Sequence, residues 1–473
     1  MAHQSLHRQP LEPKGRAMGS NEHSWCSAVA GGTGITVLAL LGSKEPDISD
    51  VQNALHKLQI SHPILRSKLH FDTTTNTHSF VTSPTPFLQI KSLDHSSTSH
   101  LLKSIVSNRN NPSNITPFHL ILEHELNQNT WNNPSHSSNT NADVFFATLY
   151  ALPDTKWSLV LRFHTAACDR TTAVTIMREL HVLFSDGGEI EREKGNKGEV
   201  SLGIEDLIPG GKGKKGLWAR GVDMLGYSVN SLRLTNLKFK DAKSPRSSEV
   251  VRLKMNLEDT QRLLAGCRSR GIKLCGALAA AGLIAAQTSK RKTDHQRKYG
   301  VLTLTDCRSI LDPPLSCHHF GFYHSAILNI LSLKGSESLW ELARRSYVAF
   351  ATSKNGNKHF SDMADLNFLM CKAIDNPSLT SSSSLRSSFI SVFEDAVIDD
   401  DSSGMQGVVG LEDYIGCASI HGIGPSIAIF DTIRDGQLDC ACVYPSPLHS
   451  REQMQELVDN MKSVLVEAGH FVE

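Results

Sequence analysis

Lys156-Trp-Ser-Leu-Val-Leu-Arg-Phe-His164-Thr165-Ala-Ala-Cys168-Asp169-Arg170 leads a strand straight into a helix, and the rest of the chain is organised around it. From Lys156 to His164, Trp157, Leu159, Leu161 and Phe163 share one face and Ser158, Val160, Arg162 and His164 the other. That period of two predicts a strand. Ala173, Met177, Leu180 and Phe184 then recur at helical spacing, with Asp169 or Thr171 as the cap and Gly187-Gly188 as the stop. An imidazole titrates near neutrality, so a His at such a junction can take a proton from a hydroxyl or amine. A core histidine beside a capping aspartate fits the same residues. The segment alone leaves both readings open.

Working outward, Ile35 to Leu41 reads as a strand and Asp47 to Leu58 as a helix burying Val51, Leu55 and Leu58. The Pro in His62-Pro-Ile-Leu-Arg66 breaks that helix. Short strands are predicted at 66–71 and 79–82. Alternation predicts further strands from Phe118 to Leu126 and from Asp143 to Leu149, with a surface loop from Asn127 to Asn141 between them. Residues 187 to about 216, rich in Gly and mixed charges, read as a linker. Beyond it come strands at Val250–Met255, Tyr299–Thr305 and His324–Ile330. The predicted helices are Leu257–Arg268, Leu274–Gln287 and Ser338–Thr352, and Asn376–Ser388 is a Ser-rich loop. A hairpin turns at Asp435-Gly436. The last helix starts at a Ser450…Gln453 capping box. Strands and helices alternate in two halves, which predicts an α/β fold of the α+β type with mixed sheets. The expected divisions are a disordered leader over 1–22, with Met18 an alternative start, an N-terminal subdomain over 23–186, a linker and crossover over 187–248, and a C-terminal subdomain over 249–473.

Composition bounds the function. The chain has 473 residues, 40% apolar and 20% charged, enough for a sizeable core. Lys+Arg and Asp+Glu each total 48, so no net charge draws the chain to nucleic acid or an anionic membrane. The most apolar stretch, Leu274 to Ala286, falls short of the roughly 18–20 residues that span a bilayer, so no membrane span is expected. The ten cysteines are scattered without a CxxC pair, and no His pair has zinc-finger spacing, so they read as reduced thiols and no metal is expected. Ala30-Gly-Gly-Thr-Gly34 precedes a strand and lacks the strand–turn–helix context of a phosphate loop. Gly210 to Gly216 reads as solvated linker, Cys317-His318-His319 lacks ligand spacing, and Cys168 reads as a buried thiol.

Several segments, in this order, resemble the CoA-dependent acyltransferase superfamily, which includes chloramphenicol acetyltransferase, peptide-synthetase condensation domains, plant BAHD acyltransferases and alcohol acetyltransferases. His164 to Arg170 resembles its HHxxxDG motif, and His62-Pro-Ile-Leu-Arg66 its HPxLR element. Thr305-Asp-Cys-Arg308, Pro313-Pro314 and Phe320-Gly-Phe-Tyr323 resemble the D-x-R … PP … G-N-Y stretch, and His421-Gly422-Ile-Gly424-Pro425 resembles the DFGWGKP loop. The resemblance spans roughly residues 24 to 468. It implies two chloramphenicol-acetyltransferase-like subdomains forming a V around a central channel. It also implies a structural Asp169 in a buried ion pair with Arg308, and Cys168, Arg170, Phe320, Tyr323, Gly422 and Gly424 as channel candidates. The implied reaction transfers an acyl group from acyl-CoA, as co-substrate rather than bound cofactor, to a small-molecule hydroxyl or amine. A cytoplasmic monomer is expected.

The chain departs from the pattern where the chemistry should be. Aligned on Asp169, His164 takes the place of the first His, Thr165 that of the catalytic second His, and Arg170 that of the Gly. A threonine hydroxyl is not basic enough to serve as a general base near neutrality. Ile420 stands where the loop motif has Asp. Three outcomes stay open: acyl transfer with a displaced base at His164 or His421 or with a pre-deprotonated acceptor; ligand binding without turnover; or a protein-interaction module.

Overall fold

The apolar run after Gly32 and the alternating run before His164 pair antiparallel, from Ile35 opposite His164 to Gly42 opposite Trp157. The computed structural model describes residues 14–75, 77–107, 115–132, 141–186, 199–216, 234–288, 297–333, 337–399 and 410–470, with Trp218, Arg220, Gly221, Met224 and Gly407. The strands are β1 (Lys14–Ala17), β2 (Thr33–Gly42), β3 (Ser67–Asp72), β4 (Thr77–Thr82), β5 (Lys91–Leu93), β6 (Ala142–Asp143), β7 (Phe145–Ala151), β8 (Trp157–His164), β9 (Ser247–Lys254), β10 (Lys298–Asp306), β11 (His324–Ser332), β12 (Arg386–Phe393), β13 (Val397–Asp399), β14 (Leu411–Ile420), β15 (Gly424–Arg434) and β16 (Gln437–Ser446). The helices are α1 (Ser20–Ala30), α2 (Ile48–Ser61), α3 (His95–Ser107), α4 (Pro117–Leu126), α5 (Arg170–Asp186), α6 (Leu257–Ser269), α7 (Leu274–Thr288), α8 (Leu339–Asn355), α9 (Lys358–Ser361), α10 (Met363–Asp375) and α11 (Arg451–His470).

Three sheets organise the α/β fold. The first half builds β14-β2-β8-β7-β5 and the smaller β1-β4-β3-β6, and the second builds β11-β10-β12-β15-β16-β9 with β13 on β15. Both faces of β8 are buried: Leu159 and Leu161 pack towards α2 and α5, while Val160 meets Ala428, Ala441 and Val443 of the other half. This shared core joins the halves on one side. β14, although it lies between 249 and 473, completes the sheet of the first half, running antiparallel to β2. The sheets are therefore not divided at residue 249.

Other expectations are corrected. Phe118–Leu126 is helical, because the Thr116 hydroxyl caps the His119 N–H and Pro117 occupies the first turn. The helix is buried on nearly every side, which erased its 3.6-residue pattern. Of the supposed leader, residues 14–22 are ordered: β1 pairs with β4 and Arg16 meets Glu22 at 2.6 Å. Backbone pairing and ion pairs hold this polar segment without an apolar run. The linker reading of 187–198 lies outside the described residues. Within 199–216, Ile204 and Leu207 are buried against Cys307, Leu311 and Tyr323, and Lys215 reaches Asp362 at 2.7 Å. Among the described residues no single helix is long and apolar enough to cross a membrane.

Candidate functional site

The site grows from the end of β8. The strand stops at His164, a single 3-10 turn covers Thr165 to Ala167, and α5 starts at Arg170. Asp169 caps α5 by accepting the Thr172 N–H at 2.9 Å. The same carboxylate takes a bidentate pair from Arg308 at 2.9 and 3.0 Å. It also accepts the Tyr323 N–H and the His324 ring, each at 2.9 Å. Burial alone would raise the Asp169 pKa. The Arg308 charge and the His324 ring override that and hold it below the usual carboxylate range. The predicted ion pair thus lies at the hub of a network joining β8–α5 to β10 and β11. Arg308 adds bonds to the His319 carbonyl and stacks over Tyr323 at 4.8 Å.

A cavity of about 460 Å³ opens beside this hub, between the two halves. Its walls are mostly apolar and include Leu38, Leu302, Leu328, Met370 and Phe430. Thr165, Cys168, Asp169, Arg170, Gly424 and His324 also line it. Thr165 Oγ1 lies 2.8 Å from Thr36 Oγ1, with either hydroxyl able to donate, and Thr36 Oγ1 lies 3.2 Å from the Cys168 carbonyl. Cys168 is a poor nucleophile, because burial and then Asp169 push its thiol pKa well up. Arg170 crosses to the other half: it pairs with Asp431 at 2.9 Å and sits 4.2 Å over Phe393. A second cavity, of about 360 Å³, adjoins the first. Its lining includes Thr171, Thr175, Asp306, Cys317 and Asp395, and it shares Arg170, Phe393 and His324 with the apolar cavity.

The remaining candidates lie elsewhere. His164 is not among the cavity-lining residues. Its Nδ1 accepts the Ala166 N–H at 3.1 Å, its ring meets Trp131 edge-on, and burial, then the His78 charge, push its pKa down to about 3. His421 packs against Gly32 and bonds Ser248 at 3.0 Å, with its pKa pushed down to about 4 by burial and then by Arg386 and Arg246. Gly422 backs onto the Gly31 carbonyl, Phe320 stacks on His62 at 3.6 Å, and the Tyr323 hydroxyl donates to Leu202. His318 bonds Glu179 at 3.0 Å. Among the described residues no group of three metal-ligating side chains comes together. Sequence reasoning missed His324. Its one signal was its place directly after Phe320-Gly-Phe-Tyr323, at the start of β11.

This architecture is that of the condensation-domain and CoA-acyltransferase fold. The trichothecene 15-O-acetyltransferase TRI3 from Fusarium sporotrichioides superposes with a TM-score of 0.68 at 11% identity, over 98% of this chain and 99% of that one. The first condensation domain of the calcium-dependent antibiotic synthetase, in complex with a substrate analogue, gives 0.63 at 12% identity over 98% and 97%. The X-domain from teicoplanin biosynthesis, seen in complex with OxyB, gives 0.57 at 16% identity over 99% and 95%. No protein-family model and no curated protein matches the sequence.

Proposed function

We propose that this protein transfers an acyl group from a CoA thioester to a hydroxyl or amine of a small apolar molecule, inside the cavity between its halves. The observation that carries this reading is the Asp169 hub, which holds the β8–α5 turn against a mainly apolar cavity of about 460 Å³. A cavity of that size and lining suits an acyl chain or an apolar ring. Arg178 and Lys372, both on its wall, are placed to meet an anionic group of the donor. Thr165, on the cavity wall and 2.8 Å from Thr36 Oγ1, helps to position the polar group of the acceptor. A cytoplasmic monomer goes with this reading, and the eight buried cysteine thiols, unpaired, suit a reducing compartment. The test incubates the purified full chain with short, long and aromatic acyl-CoAs and a panel of alcohols and amines, and reads free CoA thiol. No release above buffer for any combination overturns the proposal.

A second reading is ligand binding without turnover, and Thr165 in the position of the base favours it. The resemblance to an X-domain seen bound to OxyB adds a protein partner as one form of this reading. Here Thr165→His creates CoA release that the native chain lacks. Turnover by the native chain that Thr165→His leaves unchanged rules this second reading out.

A further inference from the structure

If acyl transfer takes place in this cavity, something on its wall must accept a proton. Thr165 has none of the necessary basicity, and His164 and His421 do not line the cavity. His324 does, and it is an imidazole shared by both cavities. It opens β11 opposite Asp306, so it comes from the half of the chain facing the β8–α5 turn. Its Nδ1 lies 2.9 Å from Asp169 Oδ2. That carboxylate is ionised beside Arg308 and can only accept, so Nδ1 of His324 is the donor to it and Nε2 is the ring nitrogen left for a substrate. No described residue hydrogen-bonds Nε2, and Nε2 is not among the buried atoms lacking a partner. The ring lines both cavities. The Phe393 ring, meeting the imidazole edge-on at 5.8 Å, holds its plane.

We infer that His324 is the catalytic base of this site, with Asp169 as its positioning residue. The structural aspartate of the strand-to-helix turn keeps its salt link to Arg308 and gains a second task, fixing the tautomer and direction of a histidine on the opposite wall. This inference rests on the acyl-transfer reading and says which group performs it. Nε2 takes the proton from the acceptor hydroxyl or amine as its oxygen or nitrogen attacks the thioester carbon. The new C–O or C–N bond forms, the C–S bond breaks, and the proton on Nε2 passes to the departing CoA thiolate. The products are the acylated acceptor and free CoA, and His324 returns to its starting state.

The experiment uses the CoA-release assay with the full chain, His324→Ala and His324→Gln, the latter retaining a side-chain donor for Asp169. Both variants are expected to lose about 10²–10⁴-fold in kcat with little change in KM for acyl-CoA. Added imidazole should restore part of the rate to His324→Ala. A purely structural histidine gives no such rescue. If the native chain turns over and both variants keep their rate, the assignment fails while acyl transfer stands. If the native chain releases no CoA, the acyl-transfer reading fails and takes the base with it. Should neither variant fold, ¹⁵N shifts of the native histidines decide: a neutral His324 protonated on Nε2 rather than Nδ1 overturns the assignment.

Discussion

Arg308 and Asp169 are each almost wholly buried, with side-chain exposures of 4% and 1%. A buried charge left without its partner is costly, whereas the pair itself contributes little net stability. Arg308→Met should therefore destabilise the fold by about 3–5 kcal/mol, read as a lower urea midpoint. A loss below about 1 kcal/mol, within the range of a surface pair, would mean that the hub does not carry the β8–β10 junction. His421 gives a pH-dependent counterpart. Its folded pKa is depressed, so below the unfolded value near 6.5 the unfolded chain binds the extra proton and stability drops as pH falls. The loss continues down to the folded value of about 4. His421→Gln removes that titration. Urea unfolding at two pH values should show the native chain losing about 2 kcal/mol more than the variant between pH 7 and pH 5. Equal losses would place the ring in contact with water.

At the scale of elements, the β14–β15 turn is fitted to the β2 entry with no space left. A Cβ on Gly422 would overlap the Gly31 carbonyl oxygen, a backbone atom that cannot rotate away. Gly422→Ala is thus expected to cost about 1–3 kcal/mol and to loosen hydrogen-exchange protection along β14. Gly416, whose added Cβ would meet nothing nearer than Leu38 Cδ1 at 3.8 Å, provides the comparison, with Gly416→Ala near neutral. Unchanged protection in Gly422→Ala would show that the turn has slack. Element type was read well where one face is buried: α11 keeps its stripe of Met454, Leu457, Met461 and Leu465. It was misread in α4, where Phe118, Leu120, Ile121, Leu122, Glu123 and Leu126 are all buried and no single face stands out. The period of a pattern reports structure only when the element has a wet side.

For the whole molecule, Arg170 ties the two halves. It starts α5 in the first half and binds both the backbone and the carboxylate of Asp431 on β15 of the second. Asp431 is buried; Arg170 bonds its Oδ1, and among the described residues its Oδ2 has no hydrogen-bond partner. Arg170→Ala should cost about 3–5 kcal/mol. Adding Asp431→Asn should recover part of that loss, a coupling of about 0.5–3 kcal/mol measurable by a double-mutant cycle. Strict additivity would mean that the tie is not energetic. Local sequence was enough for the strand and helix around His164 and for a polar cap at Asp169 or Thr171, because alternation and caps are properties of neighbouring residues, whereas the pairing of Asp169 with Arg308 came only as what the family resemblance implies. The residue after His164 is a threonine, whose hydroxyl is not basic enough to serve as a general base near neutrality. Which imidazole faces the cavity was settled only by folding. His164, one bond along the chain from Thr165, is turned into the core, while His324, 155 positions from Asp169 in sequence, shares its carboxylate. A side chain's direction at the end of a strand depends on what packs over it, and that neighbour arrives from the other half of the chain.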